Sequence, residues 1–330
     1  MLHRFGLFPV IAMNEYEDID KFLDWEEMLE NNGRSARNTS GKPGKAKKKS
    51  AVPAMELTDF IDDAAQWVPS YARALDPRHH ERTWLIESVS QFYRDNTITD
   101  VTRRVKGGKE ANVYCCIGHP ATGMDLIAAK LYRPRMLRTL KNDAIYKSGR
   151  QLRDEAGKQL KGRREKLALQ QKTTFGKHLD MVWWIGNEFR VQNSLYEAGA
   201  AVPRPIGHNG NTILMAYIGD EWLAAPALSD VSLERAEASD LFDSVMHNAR
   251  LMLENHYVHG DLSAFNILYW DGKIWIIDFP QVVDARINPN ARMLLGRDIK
   301  RVCDYFGRFG IRSDPERITR ELWIPYMGDD

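Results

Sequence analysis

Residues 259–279 read HGDLSAFNILYWDGKIWIIDF, and this stretch decides the reading of the whole chain. Asp261 and Asn266 share one loop. Two short apolar runs, NILYW and KIWIIDF, follow around Asp271-Gly272, a dipeptide that favours a tight hairpin turn. Asp278 stands near the end of the second run, twelve residues after Asn266. Phosphoryl transfer from a nucleotide needs little covalent help from a protein. It needs positioning, metal ions and a group that takes or orients a proton. Asp261 fits the last role, while Asn266 and Asp278 are hard oxygen ligands suited to Mg²⁺, which also takes phosphate oxygens and water. A lone aspartate would more often cap a turn or end a strand. The spacing Asp–x4–Asn, then strand, hairpin, strand and Asp, is far more specific.

Upstream, the pattern changes at about Ile98 to three β-rich segments, ITDVTRRV, ANVYCCIG and DLIAAKLY, with turn signals at Gly107-Gly108 and Pro120–Gly123. They predict an antiparallel meander. In VKGGKEANVY, between two strands, Gly107 and Gly108 would let backbone approach phosphate oxygens; two glycines in a hairpin are also simply a hairpin. Lys130 lies inside the third strand among apolar neighbours, a costly position without a partner. Glu188, on a helix expected over Val182–Glu197 and closed by Gly199, is the candidate partner, with Glu197 as the fallback. A strand pair, PIGHNGNTILMAYIG, follows with a hairpin expected at Asn209-Gly210, and the last third reads as mainly helical. The fold class is therefore α+β, a bilobal protein-kinase-like fold with a β-rich first lobe and a helical second lobe flanking a cleft.

The strings GGKEANVY, AAKLY, ILMAYIGD, VHGDLSAFNILYW, IIDFPQ and RDIKRVCDYF together resemble the RIO family of atypical serine/threonine protein kinases, over roughly Asn96 to Tyr305. SGR at 148–150 is similar to the first RIO subgroup, and the HGD spelling looks more like its bacterial members. The resemblance implies that Gly108, Lys109, Val113, Lys130 and Ser263 surround ATP phosphates and that Glu188 holds Lys130. It implies that Met215 lines the adenine pocket and that backbone near Ala216 and Ile218 bonds the base. Asp261 becomes the catalytic base, and Asn266 and Asp278 become ligands for Mg²⁺, with Mn²⁺ as an alternative ion. Asp278 is also a candidate for a transient aspartyl-phosphate. Two departures from ordinary protein kinases stand out. Of the usual GxGxxGxV loop only Gly108 remains, and no APE motif follows Asp278, so the peptide-holding helices have no sequence to build them.

The chain has 330 residues, 43% hydrophobic and 28% charged, with 46 Lys+Arg against 45 Asp+Glu. That excludes a wholly disordered protein. Three cysteines, Cys115, Cys116 and Cys303, cannot build a disulfide framework, and no run approaches a membrane span, so the expected location is the cytoplasm. The domain reading places an acidic helix and a flexible basic linker in 1–50, a helical extension in 51–97, a first lobe in 98–218 and a second in 219–330. Between Arg133 and Asp180, 14 Lys/Arg oppose 5 Asp/Glu, a net of +9, in a segment read as a flexible insertion. Its charge points to a solvated loop or to an anionic partner such as RNA or a ribosomal particle. ATP is the expected small-molecule partner, with an unknown protein substrate and autophosphorylation on serine. Two other functions fit the same residues: an ATPase-driven assembly switch, and a small-molecule kinase of the aminoglycoside or choline type.

Overall fold

The computed structural model describes residues 67–108, 110–133 and 174–328, with side chains of the last span from 183 onward. All of them fall within one compact unit, Phe60–Asp330. The acidic helix, the basic linker, the helical pattern from Leu57, Lys109 and most of the basic insertion lie outside the described residues.

The β-rich segments form the meander that their alternation predicts. Strands β1 (Ile98–Gly107), β2 (Ala111–Gly118) and β3 (Leu126–Tyr132) are joined by β4 (Pro205–Asn209) and β5 (Thr212–Ala216) in one antiparallel sheet, ordered β1-β2-β3-β5-β4. Asn209 pairs with Thr212, so the β4–β5 loop is Gly210-Asn211 rather than the expected Asn209-Gly210, with Gly210 at φ 50°. The strand register puts the two turn positions one residue further along than that dipeptide suggests. The β1–β2 turn is tight: Gly108 donates its N–H to the Ala111 carbonyl at 2.9 Å. A Cβ on Gly108 would lie 2.8 Å from that carbonyl oxygen, so this position has no room for a side chain.

Period-two alternation sends Tyr114 and its partner Ala129 to one face of the sheet, and Val113 and its partner Lys130 to the other. The Tyr114 face is covered by a helix ahead of the meander. Helix α1 is a single turn (Ser70–Arg73), and helix α2 (His80–Arg94) buries Trp84, Leu85, Val89 and Phe92. Glu81 at its start accepts the Tyr114 hydroxyl at 2.7 Å and pairs with Arg104 at 3.1 Å. Asn112 donates to the Tyr114 oxygen at 3.0 Å, and Arg133 to Asn112 at 2.7 Å. This polar chain runs beneath the sheet from α2 to the start of the basic insertion.

Helix α3 (Thr174–Glu197) begins eight residues before the expected Val182, and Gly199 at φ 83° follows its end. The second lobe is built on α4 (Arg235–Glu254), whose Ala238, Leu241, Val245, Ala249 and Met252 form a buried stripe at helical spacing. Two short pairs adjoin it: β6 (Tyr257–Val258) with β9 (Val283–Asp284), and β7 (Ile267–Trp270) with β8 (Lys273–Ile276). Trp270 pairs with Lys273 across Asp271 (φ 48°) and Gly272 (φ 72°), the mirror-image turn that a two-residue hairpin requires. Helices α5 (Ala291–Gly307) and α6 (Pro315–Met327) complete the lobe. Cys115, Cys116 and Cys303 are free and buried, and no described helix is long and apolar enough to cross a membrane.

Glu81→Ala leaves the buried Tyr114 hydroxyl without its acceptor, which should cost about 1–3 kcal/mol. Urea unfolding should show a lower midpoint with an unchanged slope; an unchanged midpoint would make the polar chain energetically neutral.

Candidate active site

Lys130, central in β3, extends from the sheet face opposite α2 and meets two carboxylates. Its Nζ lies 2.7 Å from Glu188 Oε1 on α3 and 2.6 Å from Asp278 Oδ1 after β8. The Lys130 side chain is 12% exposed and that of Glu188 only 2%. Tyr132, two residues along the strand, donates its hydroxyl to Glu188 Oε2. Burial by itself would favour neutral lysine, but the charges of Asp278 and Glu188 outweigh it and hold the ammonium above its ordinary pKa. Burial likewise opposes ionised Asp278; Lys130 wins and keeps that carboxyl below the usual range. The candidate partner Glu188 is thus the one that meets the lysine. Glu110, in the loop before β2, is a further carboxylate that sequence reading did not single out. Burial and then the charge of Asp278 raise its pKa.

Asp278 sits at φ 72°, a left-handed conformation uncommon for a residue with a side chain. The Ile277 amide donates to the Asn266 carbonyl at 3.0 Å, which sets Asn266 beside the backbone leading into Asp278. Asn266 Nδ2 in turn donates to the Asp261 carbonyl at 2.9 Å and to its Oδ2 at 3.2 Å. The structure therefore brings Lys130, Glu188, Asp278, Asn266 and Asp261 into one chain of contacts. Ser263 lies in the same loop, its carbonyl accepting the Asn266 amide at 2.9 Å. Val113 pairs with Lys130 across the sheet, and Gly108 holds the turn before it.

At the strand leading out of the first lobe, Met215 pairs with Ala128 and accepts a contact from Gln192 Nε2 at 3.6 Å. The Ala216 amide donates to the Arg204 carbonyl at 2.8 Å, and the Ile218 carbonyl accepts from Ala225 at 3.0 Å.

Around Asp261 the structure adds partners that loop spacing does not reveal. The neighbouring His259 is buried; burial keeps its imidazole below the ordinary range, in spite of the Asp278 charge. The neutral ring contacts the Ile277 carbonyl through Nε2 at 3.2 Å and accepts the Asp261 amide on Nδ1 at 3.3 Å. Three residues of α5 hold the same loop. Arg297 donates to the Gly260 carbonyl, buried Asp298 accepts the Gly260 amide at 2.8 Å, and Arg301 reaches Asp261 Oδ1 at 2.7 Å. Burial pushes the Asp298 carboxyl up to about 7, against the pull of the Gly260 amide and Arg297.

A strand lysine paired to a helix glutamate, beside a loop aspartate and asparagine, is the protein-kinase arrangement. The family model described as the RIO domain matches residues 139–318, more than half of the chain. The chain belongs to the RIO kinase family. Curated RIO-type kinases are among its relatives. The chain is 36% identical to the RIO-type serine/threonine-protein kinase Rio1 of Thermoplasma acidophilum, over 42% of this chain and 72% of that protein. It is 30% identical to the serine/threonine-protein kinase RIO1 of Caenorhabditis elegans, over 72% of this chain and 42% of the nematode protein. To the RIO-type serine/threonine-protein kinase Rio2 of Methanocaldococcus jannaschii it is 37% identical, over 42% of this chain and 51% of the relative. The chain thus covers less than half of the nematode RIO kinase it matches. Lys130 and the Gly108 turn precede the span matched by the RIO domain model, so their placement in the site comes from the fold.

Lys130→Ala should destabilise the protein by about 3–5 kcal/mol, because it strands the buried Glu188 charge; thermal or urea unfolding measures this, and a change below about 1 kcal/mol would refute the ion triad. Asp298 yields a pH signature. Its folded-state pKa lies above the unfolded one, so between about pH 4 and 7 the folded state binds more protons. Its contribution to stability then falls as pH rises, by at most about 1.4 kcal/mol per pH unit. Asp298→Asn should gain on the parent protein across that window and hold a constant difference above it.

Proposed function

We propose that this chain is an ATP- and Mg²⁺-dependent serine/threonine protein kinase of the RIO type that phosphorylates serine on itself at least. The observation that carries the reading is the Lys130–Glu188–Asp278 triad connected through Ile277 and Asn266 to the carboxylate of Asp261. With nucleotide bound, the ammonium of Lys130 would hold ATP phosphates while Glu188 and Tyr132 keep the lysine in place. Gly108 and Val113 would cover the phosphates, and Met215 the base. Because the Ala216 amide and the Ile218 carbonyl are already engaged, contact with the base falls to the Ala216 carbonyl and the Ile218 amide.

The donor chemistry supports a cation shared with phosphate. Asn266 engages Asp261 through Nδ2, leaving Oδ1 as a hard oxygen donor, and Asp278 follows the backbone that bonds Asn266. Among the described residues no group of three or more His, Cys, Asp or Glu forms a closed metal site. That set suits Mg²⁺, which takes few protein ligands and keeps phosphate oxygens and water. The bound ion would neutralise charge on the phosphates. Asp261 would accept the acceptor hydroxyl's hydrogen bond and orient it toward the phosphorus. The small-molecule-kinase alternative has no counterpart among the relatives named above.

The test is incubation with Mg²⁺ and γ-labelled ATP, followed by acid and hydroxylamine treatment of the labelled chain. A label stable to both, and lost in Asp261→Asn, is the expected result and means phosphoserine or phosphothreonine. A label released by hydroxylamine and absent from Asp278→Asn is an acyl-phosphate, which would replace this reading with the ATPase switch.

A further inference from the structure

Arg301 touches the proposed base, Asp261, from outside the loop that carries it. Its guanidinium is 2.7 Å from Asp261 Oδ1, is 41% exposed, and comes from α5 rather than from the loop that carries Asp261. Ser263, in the same loop as Asp261, supplies no charge. Lys130 is engaged by two carboxylates. Asp261, Asp278, Glu110 and Glu188 together make the site acidic before the phosphate charges arrive. A cation on the acceptor side of the site would add to the charge that a metal ion supplies on the nucleotide side.

Resting on the kinase reading above, we infer that Arg301 is a catalytic residue that binds the transferring phosphoryl group. In the transfer, the acceptor oxygen forms its bond to phosphorus as the bond from phosphorus to the bridging oxygen of ADP breaks. The bridging oxygen keeps that electron pair, and the hydroxyl proton passes to Asp261. The acceptor oxygen must lie within hydrogen-bond reach of the Asp261 carboxylate and about 3–3.5 Å from phosphorus. A guanidinium already bonded to the other oxygen of that carboxylate is then on the side of the site where the phosphoryl oxygens come within its reach. Arginine has five donors in a planar fork, so it can keep Asp261 oriented and still bond a phosphoryl oxygen. Its two neighbours on α5 have different work. Arg297 and Asp298 bond the backbone of this loop at Gly260, fixing its position.

The experiment compares the full-length parent, Arg301→Ala and Arg301→Lys by initial rates of autophosphorylation and ADP release across ATP concentrations, with and without added guanidinium chloride at millimolar levels. Lys130→Arg serves as the control for nucleotide use. Arg301→Ala should lower kcat on the order of 100-fold with KM for ATP within about threefold. Arg301→Lys should recover part of the loss, since it returns the charge without the fork. Guanidinium should raise the rate of Arg301→Ala and leave the parent unchanged. A kcat within threefold of the parent overturns the inference, and so does a loss confined to KM. A kcat loss that guanidinium does not relieve also overturns it, and assigns Arg301 to holding Asp261 alone. A parent chain showing no Lys130-dependent transfer removes the kinase reading itself, and this inference with it. Transfer that is normal in the parent and undiminished in Arg301→Ala isolates the failure to Arg301.

Discussion

The ion triad of Lys130, Glu188 and Asp278 is the contact on which the site depends. It joins three parts of the chain far apart in sequence: a strand of the first lobe, the helix α3, and the turn after β8. A lysine inside a sheet is tolerable only when its charge is answered, and a glutamate at 2% exposure equally needs an answer. Each group therefore makes the others possible. The Trp184 indole reinforces the union, donating to the Pro280 carbonyl at 3.2 Å while packing edge-on to Tyr132. The energy that holds α3 against the strand-β8 turn is thus electrostatic at one point and aromatic at the next.

The second dependence is the grip of α5 on the loop at Gly260–Asp261. Loops are normally the mobile part of a fold, yet this one is bonded on its amide, its carbonyl and its side chain by one helix. Asp298 is the costly member, a buried carboxyl with one oxygen lacking a partner among the described residues. Burial of this kind is tolerated when it buys geometry elsewhere, and here the geometry is that of the loop carrying the proposed base.

How much of this was legible in the sequence follows from the range of each interaction. The β7–β8 hairpin was legible because Asp271 and Gly272 are the residues that accept positive φ, a purely local preference. The pairing of Lys130 with Glu188 was legible because a buried lysine demands a carboxylate and few candidates were placed to supply one. The α5 contacts were not. Arg297, Asp298 and Arg301 are charged residues at helical spacing, and such spacing equally describes a solvated face. Only tertiary packing shows that all three turn inward on one loop. The start of α3 at Thr174 was missed because the segment up to Asp180 reads as part of the basic insertion by its charge, which hides the helical spacing of Phe175, Leu179 and Val182. Glu81 escaped notice for a related reason, since its partners Tyr114 and Arg104 lie on strands whose register decides which side chains face α2.

The compactness of the α5 grip sets a rule about chain length. All three contacts come from one five-residue stretch, 297–301, so they lie on one side of the helix within about 100° of each other. Each residue of an α-helix turns the next by about 100°. Adding or removing one residue within α5 ahead of position 297 would swing the whole set away from Gly260 and Asp261 together, whereas a longer connection before Ala291 could be absorbed outside the helix. The stretch from Ala291 to Arg301 is therefore a spacer of fixed length, one in which substitutions are tolerated more readily than insertions.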